Sequence, residues 1–141
     1  MREKPLLLVA DDDNDFREVV SVKLKGAGFD VSAAKDGDEA LKKAKEILPD
    51  LAVLDIRMPP GPTGVEVALQ LKAAPETKDI KILFLSGLDD PWPAFTGDKS
   101  EVSKELGVED FFPKTNDLDE LVKKVRELIA KGMPVPKQTD A

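Results

Sequence analysis

Three short stretches of this chain are apolar at nearly every position. They are Leu6-Leu7-Leu8-Val9-Ala10, Leu51-Ala52-Val53-Leu54 and Ile80-Lys81-Ile82-Leu83-Phe84-Leu85, the last broken only by Lys81. A strand that is apolar on both faces has to be covered on both, which is the condition of a central strand in a parallel sheet with helices on either side. Two further stretches suit edges. Phe29-Asp30-Val31-Ser32-Ala33 alternates apolar and polar, and Phe111-Phe112-Pro113 is short and carries a proline, which supplies no ladder donor. With the first, third and fourth strands central and the second and fifth at the edges, the pattern predicts a doubly wound five-stranded α/β sheet in the order 2-1-3-4-5.

The segments between the strands read as helices, two on one face and three on the other. Phe16, Val19, Val20 and Leu24 recur at helical spacing before Gly26 and Gly28. Ala40, Leu41, Ala44, Ile47 and Leu48 form a second stripe, stopped by Pro49. The third segment is ambiguous, because Val65, Val67, Leu69 and Leu71 alternate as a strand would. Thr63 and Glu66 have the spacing of a capping box, and good helix formers follow, so it is assigned to a helix. A weaker helix is expected over 98–106. The last, with Leu118, Leu121, Val122, Val125, Leu128 and Ile129, ends at Gly132. Pro59-Pro60-Gly61-Pro62 reads as a stiff loop, and 87–97 as a long one, whose Trp92 and Phe95 either pin it to the domain, the preferred reading, or form a partner-binding lid. The expected division is one domain over 1–131 and a flexible tail or linker stub over 132–141.

Composition removes several classes of chemistry. Among 141 residues there is no cysteine and no histidine, so disulfides, thiolate sites and the usual zinc ligands and general base are excluded. Net charge is −7, which disfavours direct contact with nucleic acid. No leader-like or membrane-spanning apolar run is present, and a cytoplasmic location is expected. No Gly-x-x-x-x-Gly-Lys stretch exists for nucleotide binding.

In an open parallel sheet the functional crevice lies beyond the carboxyl ends of the strands. Asp11, Asp12 and Asp13 follow the first strand, Asp55 the third, Ser86 the fourth and Lys114 the fifth. Adjacent strands are about 4.8 Å apart, so carboxylates crowd into one crevice and repel unless a cation sits among them. Oxygen-only ligands point to a hard ion, Mg²⁺ before Zn²⁺. Mg²⁺ alone does not account for Lys114 and Ser86, whereas a phosphoryl group does: the ammonium offsets its charge and the hydroxyl donates to it. An EF-hand fails, because Phe16 and Val22 stand where glycine and glutamate are required.

The stretches Leu6 to Arg17, Pro49 to Pro59, Leu85-Ser86-Gly87 and Gly107 to Lys114 resemble, in order, the motifs of a response-regulator receiver domain, across roughly residues 5–131. The resemblance implies a flavodoxin-like (βα)5 fold. It implies a phospho-acceptor, not an enzyme of the ordinary kind, that assists its own phosphorylation and dephosphorylation. Asp55 takes a phosphoryl group from a partner histidine kinase or phosphotransfer protein. Asp12, Asp55 and the Arg57 carbonyl ligate Mg²⁺, with Asp11 acting mainly through water. Ser86 and Lys114 bind the phosphoryl oxygens, Phe111 holds the aromatic switch position, and a downstream effector reads the face of the fourth predicted helix, fifth strand and last helix.

The sequence departs from the family pattern in five places. Gly64 comes one residue later than usual after Asp55, Gly87 replaces an alanine, the loop after the fourth strand is long, Phe111 has no hydroxyl, and Thr115 stands where a proline follows the lysine. These motivate an alternative, a pseudo-receiver that docks partners without phosphorylation. A related Mg²⁺-dependent phosphatase needs a second aspartate two residues after the nucleophile, where this chain has Arg57.

Overall fold

Five parallel strands, β1 (Leu6–Ala10), β2 (Asp30–Ala34), β3 (Leu51–Asp55), β4 (Lys81–Ser86) and β5 (Asp110–Pro113), form one sheet ordered β2-β1-β3-β4-β5. The order is the predicted one, and each strand lies within a residue or so of the stretch its sequence pattern marks. The structure, a computed structural model, describes residues 4–58, 61–87, 110–114 and 116–132. Among them are four helices, α1 (Asn14–Gly26), α2 (Gly37–Ile47), α3 (Gly64–Ala73) and α4 (Leu118–Gly132). The helix expected over 98–106, the loop with Leu88, Trp92 and Phe95, Pro59-Pro60, Thr115 and residues 133–141 of the tail expected over 132–141 lie outside the described residues, while Gly132 still belongs to α4.

Side chains alternate across the sheet and divide the core in two. Leu8, Ala10, Ala52, Leu54, Ile82 and Phe84 meet Ala40 and Ala44 of α2 and Val67, Ala68 and Leu71 of α3. Leu7, Val9, Leu51, Val53, Leu83 and Leu85 meet Val20 and Leu24 of α1 and Leu121, Val125 and Leu128 of α4. Each such leucine contributes about 1.5–3 kcal/mol on burial, so the sheet is held from both faces. The capping box is present: the Thr63 hydroxyl accepts from the Glu66 amide at 3.1 Å, and the Glu66 carboxylate accepts from the Thr63 amide at 2.8 Å. This cap starts α3 as a helix despite the strand-like alternation that follows. Among the described residues no helix is long and apolar enough to cross a membrane.

Candidate functional site

Register decides which side chains meet. Ala10 pairs with Leu54 across β1 and β3, so the next residues, Asp11 and Asp55, come side by side. Both continue the row of Leu7, Val9, Leu51 and Val53 that faces α1 and α4. On β5, Phe112 lies in the same row and pairs with Leu85, and Lys114 follows two residues on. Its long stem reaches across to the acids.

The result is a buried cluster of charges at the carboxyl edge. Asp11 is 0 % exposed and Asp55 is 3 % exposed. Lys114 Nζ lies 2.9 Å from Asp11 Oδ2 and 3.1 Å from Asp55 Oδ2. The other oxygen of Asp11 accepts from the Asp13 amide at 2.9 Å, and the Asp11 carbonyl accepts from the Arg17 guanidinium at 2.8 Å. The Arg57 amide approaches Asp55 Oδ1 at 3.4 Å, a long and weak contact. Burial pushes the Asp55 carboxyl up to about 7; the Asp11 charge adds to the rise, and Lys114 and the Arg57 amide oppose it. Burial pulls the Lys114 ammonium down, but hydrogen bonding and charge from Asp11 and Asp55 outweigh it and hold it above the usual range.

Backbone contacts fix the two neighbouring ends. The Lys114 amide donates to the Ser86 carbonyl at 2.8 Å, which joins the end of β5 to the half-buried end of β4. The chain after Asp55 folds straight back. The Gly64 amide donates to the Ile56 carbonyl at 2.9 Å, and a Cβ on Gly64 would stand 2.2 Å from the Asp55 carbonyl oxygen. No side chain fits there, so Gly64 is required for the approach of α3 to the site.

The acidic run after β1 divides its labour. Asp13 caps α1, accepting from the Asp15 and Phe16 amides at 3.0 and 3.1 Å. Asp11 and Asp12 turn to the crevice: one carboxylate oxygen from each of Asp11, Asp12 and Asp55 lies within 4.8 Å of the others, with Asp12 at the exposed rim. Among the described residues, Lys114 pairs with two of the three carboxylates, Asp11 and Asp55. That excess of negative charge, all on hard oxygens, fits a small divalent cation of the Mg²⁺ kind. Sequence reasoning named Asp11, Asp12, Asp55 and Lys114 but missed the direct Lys114–Asp11 pair; the parity of Lys114 with Phe112 was the signal for it.

The sequence model of the response regulator receiver domain matches residues 7–126. The chain belongs to the response regulator receiver domain family. Receiver domains are the signalling modules of two-component systems, and similar proteins agree. The DNA-binding dual master transcriptional regulator RpaA of Synechocystis is 32% identical over 132 residues, 94% of this chain and 52% of the relative. The DNA-binding response regulator MtrA of Mycolicibacterium smegmatis is 32% identical over 136 residues, 96% of this chain and 54% of the relative. A crystal structure of a putative response regulator from Chloroflexus aurantiacus has a TM-score of 0.78 and 30% identity, covering 91% of this chain and 99% of that one. The receiver domain here thus spans about half the length of the curated relatives. The expectation of no direct nucleic acid gains no support from relatives named for binding DNA. The acidic balance behind it describes this domain alone and does not speak for a longer protein.

Proposed function

We propose that the chain is a phospho-acceptor switch whose acceptor is Asp55. The observation that carries the reading is the convergence of Asp11, Asp12, Asp55 and Lys114 at one edge of the sheet. An Asp55 carboxylate oxygen attacks the phosphorus of a phosphohistidine on a partner kinase or phosphotransfer protein. The new O–P bond gives an acyl phosphate, the N–P bond breaks, and the leaving imidazole keeps the electron pair and takes up a proton. Lys114 offsets charge on the phosphoryl oxygens and Ser86, at the end of β4, donates to them. Asp12, Asp55 and the Arg57 carbonyl would hold Mg²⁺, with Asp11 acting mainly through water, and the ion would neutralise charge gathered on the phosphoryl oxygens.

An effector protein or domain then reads the changed surface near β5, where Phe111 packs against Phe84 with ring centroids 5.4 Å apart. The setting is the cytoplasm, and residues 1–131 form the switch unit. The phosphorylation-independent docking reading is not favoured, because the acids and lysine the chemistry needs are all present and converge. Intact mass after incubation with Mg²⁺ and a small phosphodonor tests the reading. One phosphoryl increment is expected, absent in Asp55→Asn and with chelator. A parent that takes no label, or an Asp55→Asn variant that still takes it, overturns the assignment.

A further inference from the structure

Lys114 has a neighbour besides its two acids. Its Nζ stands over the ring of Phe16, 5.0 Å from the centroid. Phe16 lies in the first turn of α1, half-buried against the core beneath α1 and α4. Its amide is held by Asp13 Oδ1 at 3.1 Å, so the cap that starts α1 also fixes the backbone that carries the ring. An aromatic face attracts a cation within about 6 Å of its centroid through its quadrupole.

The acids that hold Lys114 are also the acids that the proposed reaction commits to other partners. Asp55 becomes the phosphoryl carrier, and Asp11 and Asp55 are drawn to Mg²⁺. A ring face competes for neither, since it neither ligates a hard cation nor accepts a phosphoryl group. Among the described neighbours of the ammonium, the ring's attraction stays the same while the carboxylates change theirs. We propose that Phe16 is a positioning residue for Lys114, holding the ammonium at the phosphoryl-binding place while Asp11 and Asp55 are engaged. The inference rests on the phospho-acceptor reading and adds to it a residue in α1.

Ring electron density can be changed at nearly constant shape, which separates this role from packing. Phe16 is replaced in the full chain by mono-, di- and trifluorophenylalanine, and the rate of Asp55 labelling by a small phosphodonor is followed by intact mass. The rate is expected to fall stepwise with fluorine number. Phe16→Leu is expected to slow labelling about three- to tenfold, and Phe16→Tyr to restore it to within about twofold of the parent. A readout independent of reaction is the Lys114 ε-methylene proton shift. Ring current should move it upfield of other lysines in the parent, and with beryllofluoride and Mg²⁺ added, but not in Phe16→Leu. A flat fluorine series, or a Lys114 signal indifferent to Phe16→Leu, overturns the inference and leaves Phe16 as packing. If the parent itself takes no label, the phospho-acceptor reading falls, and this positioning role with it; a flat series in a parent that labels sinks only the role of Phe16.

Discussion

β3 carries an aspartate at each end, and the two have opposite surroundings. Asp50, just before the strand, is tied into the amino edge by backbone groups. Its Oδ2 accepts from the Leu6 amide at 2.8 Å, its amide donates to the Leu6 carbonyl at 2.8 Å, and its carbonyl accepts from the Lys81 amide at 3.2 Å. Asp55 closes the strand at the carboxyl edge. Its oxygens meet an ammonium at 3.1 Å and one long amide contact at 3.4 Å, with Asp11 beside it. One carboxylate completes the hydrogen bonding of a sheet edge. The other is held among charges, at the edge where the strand amides run out. The same residue type at the two ends of β3 is hydrogen-bonded to backbone at one end and crowded among charges at the other.

The strongest way to break this contrast is to exchange the two acids' fates by mutation. Asp55→Asn is expected to abolish phosphoryl uptake while keeping the fold. Asp50→Ala is expected to label like the parent but to lose about 1–2 kcal/mol of stability, since the part-buried Leu6 amide loses its acceptor. Mass after phosphodonor treatment and urea unfolding at pH 7 give the two answers. An Asp50→Ala chain that folds but does not label would erase the distinction between the ends.

The next effect is the removal of the cation between the acids. Lys114→Ala leaves the buried Asp11 and Asp55 facing each other. A loss of about 3 kcal/mol is expected at pH 8 in chelator, the low end for one partner removed from a buried charge pair because Lys114 is itself part-exposed. Adding Mg²⁺ should recover part of it. Unchanged stability would mean that the acids do not depend on this lysine.

A smaller effect follows from the Asp55 carboxyl being pushed up to about 7 by burial and by Asp11. In the folded chain this group holds its proton to a higher pH than in the unfolded chain. Its contribution therefore favours folding below the ordinary carboxylate range and is lost as pH rises through about 7. In chelator, Asp55→Asn should match the parent near pH 4. It should be more stable by about 1–3 kcal/mol at pH 8, a discounted use of 1.36 kcal/mol per pH unit. Denaturant midpoints across this range test the sign: a difference that shrinks with rising pH would show that Asp55 ionises without strain.

What the sequence discloses follows the same division between backbone-driven and side-chain-driven structure. β1, β3 and β4 are legible because runs apolar on both faces have one home, the middle of a covered parallel sheet. α3 was legible through Thr63 and Glu66 even though Val65, Val67, Leu69 and Leu71 alternate. Asp55 and Asp12 were legible by position at strand ends. The division of the acidic run was not, because Asp11, Asp12 and Asp13 look alike until a helix begins and one of them has to cap it. The contacts of Lys114 with Asp11 and Phe16 were hidden for a different reason. A four-carbon stem reaches several neighbours, and only the joint placement of β1, β5 and α1 selects among them.

The smallest expected effect sets a second ion pair against the buried one. Lys23 on α1 meets Asp119 on α4, and both side chains are well exposed. Asp119 lifts the Lys23 ammonium above its ordinary range through hydrogen bonding and charge, and Lys23 lowers the Asp119 carboxyl in return. By distance alone this pair is as close as those at the site. Water solvates both partners when they separate, however, and salt screens them, so the gain is offset by ordering two long side chains. At the carboxyl edge, Asp11 and Asp55 have no such solvent to return to. Asp119→Asn is therefore expected to leave the thermal midpoint and the labelling rate within error of the parent, at low and high salt alike. A marked drop at low salt would mean that charge at the surface of α1 and α4 supports the domain as much as charge in its crevice, and the functional edge would lose its electrostatic distinction.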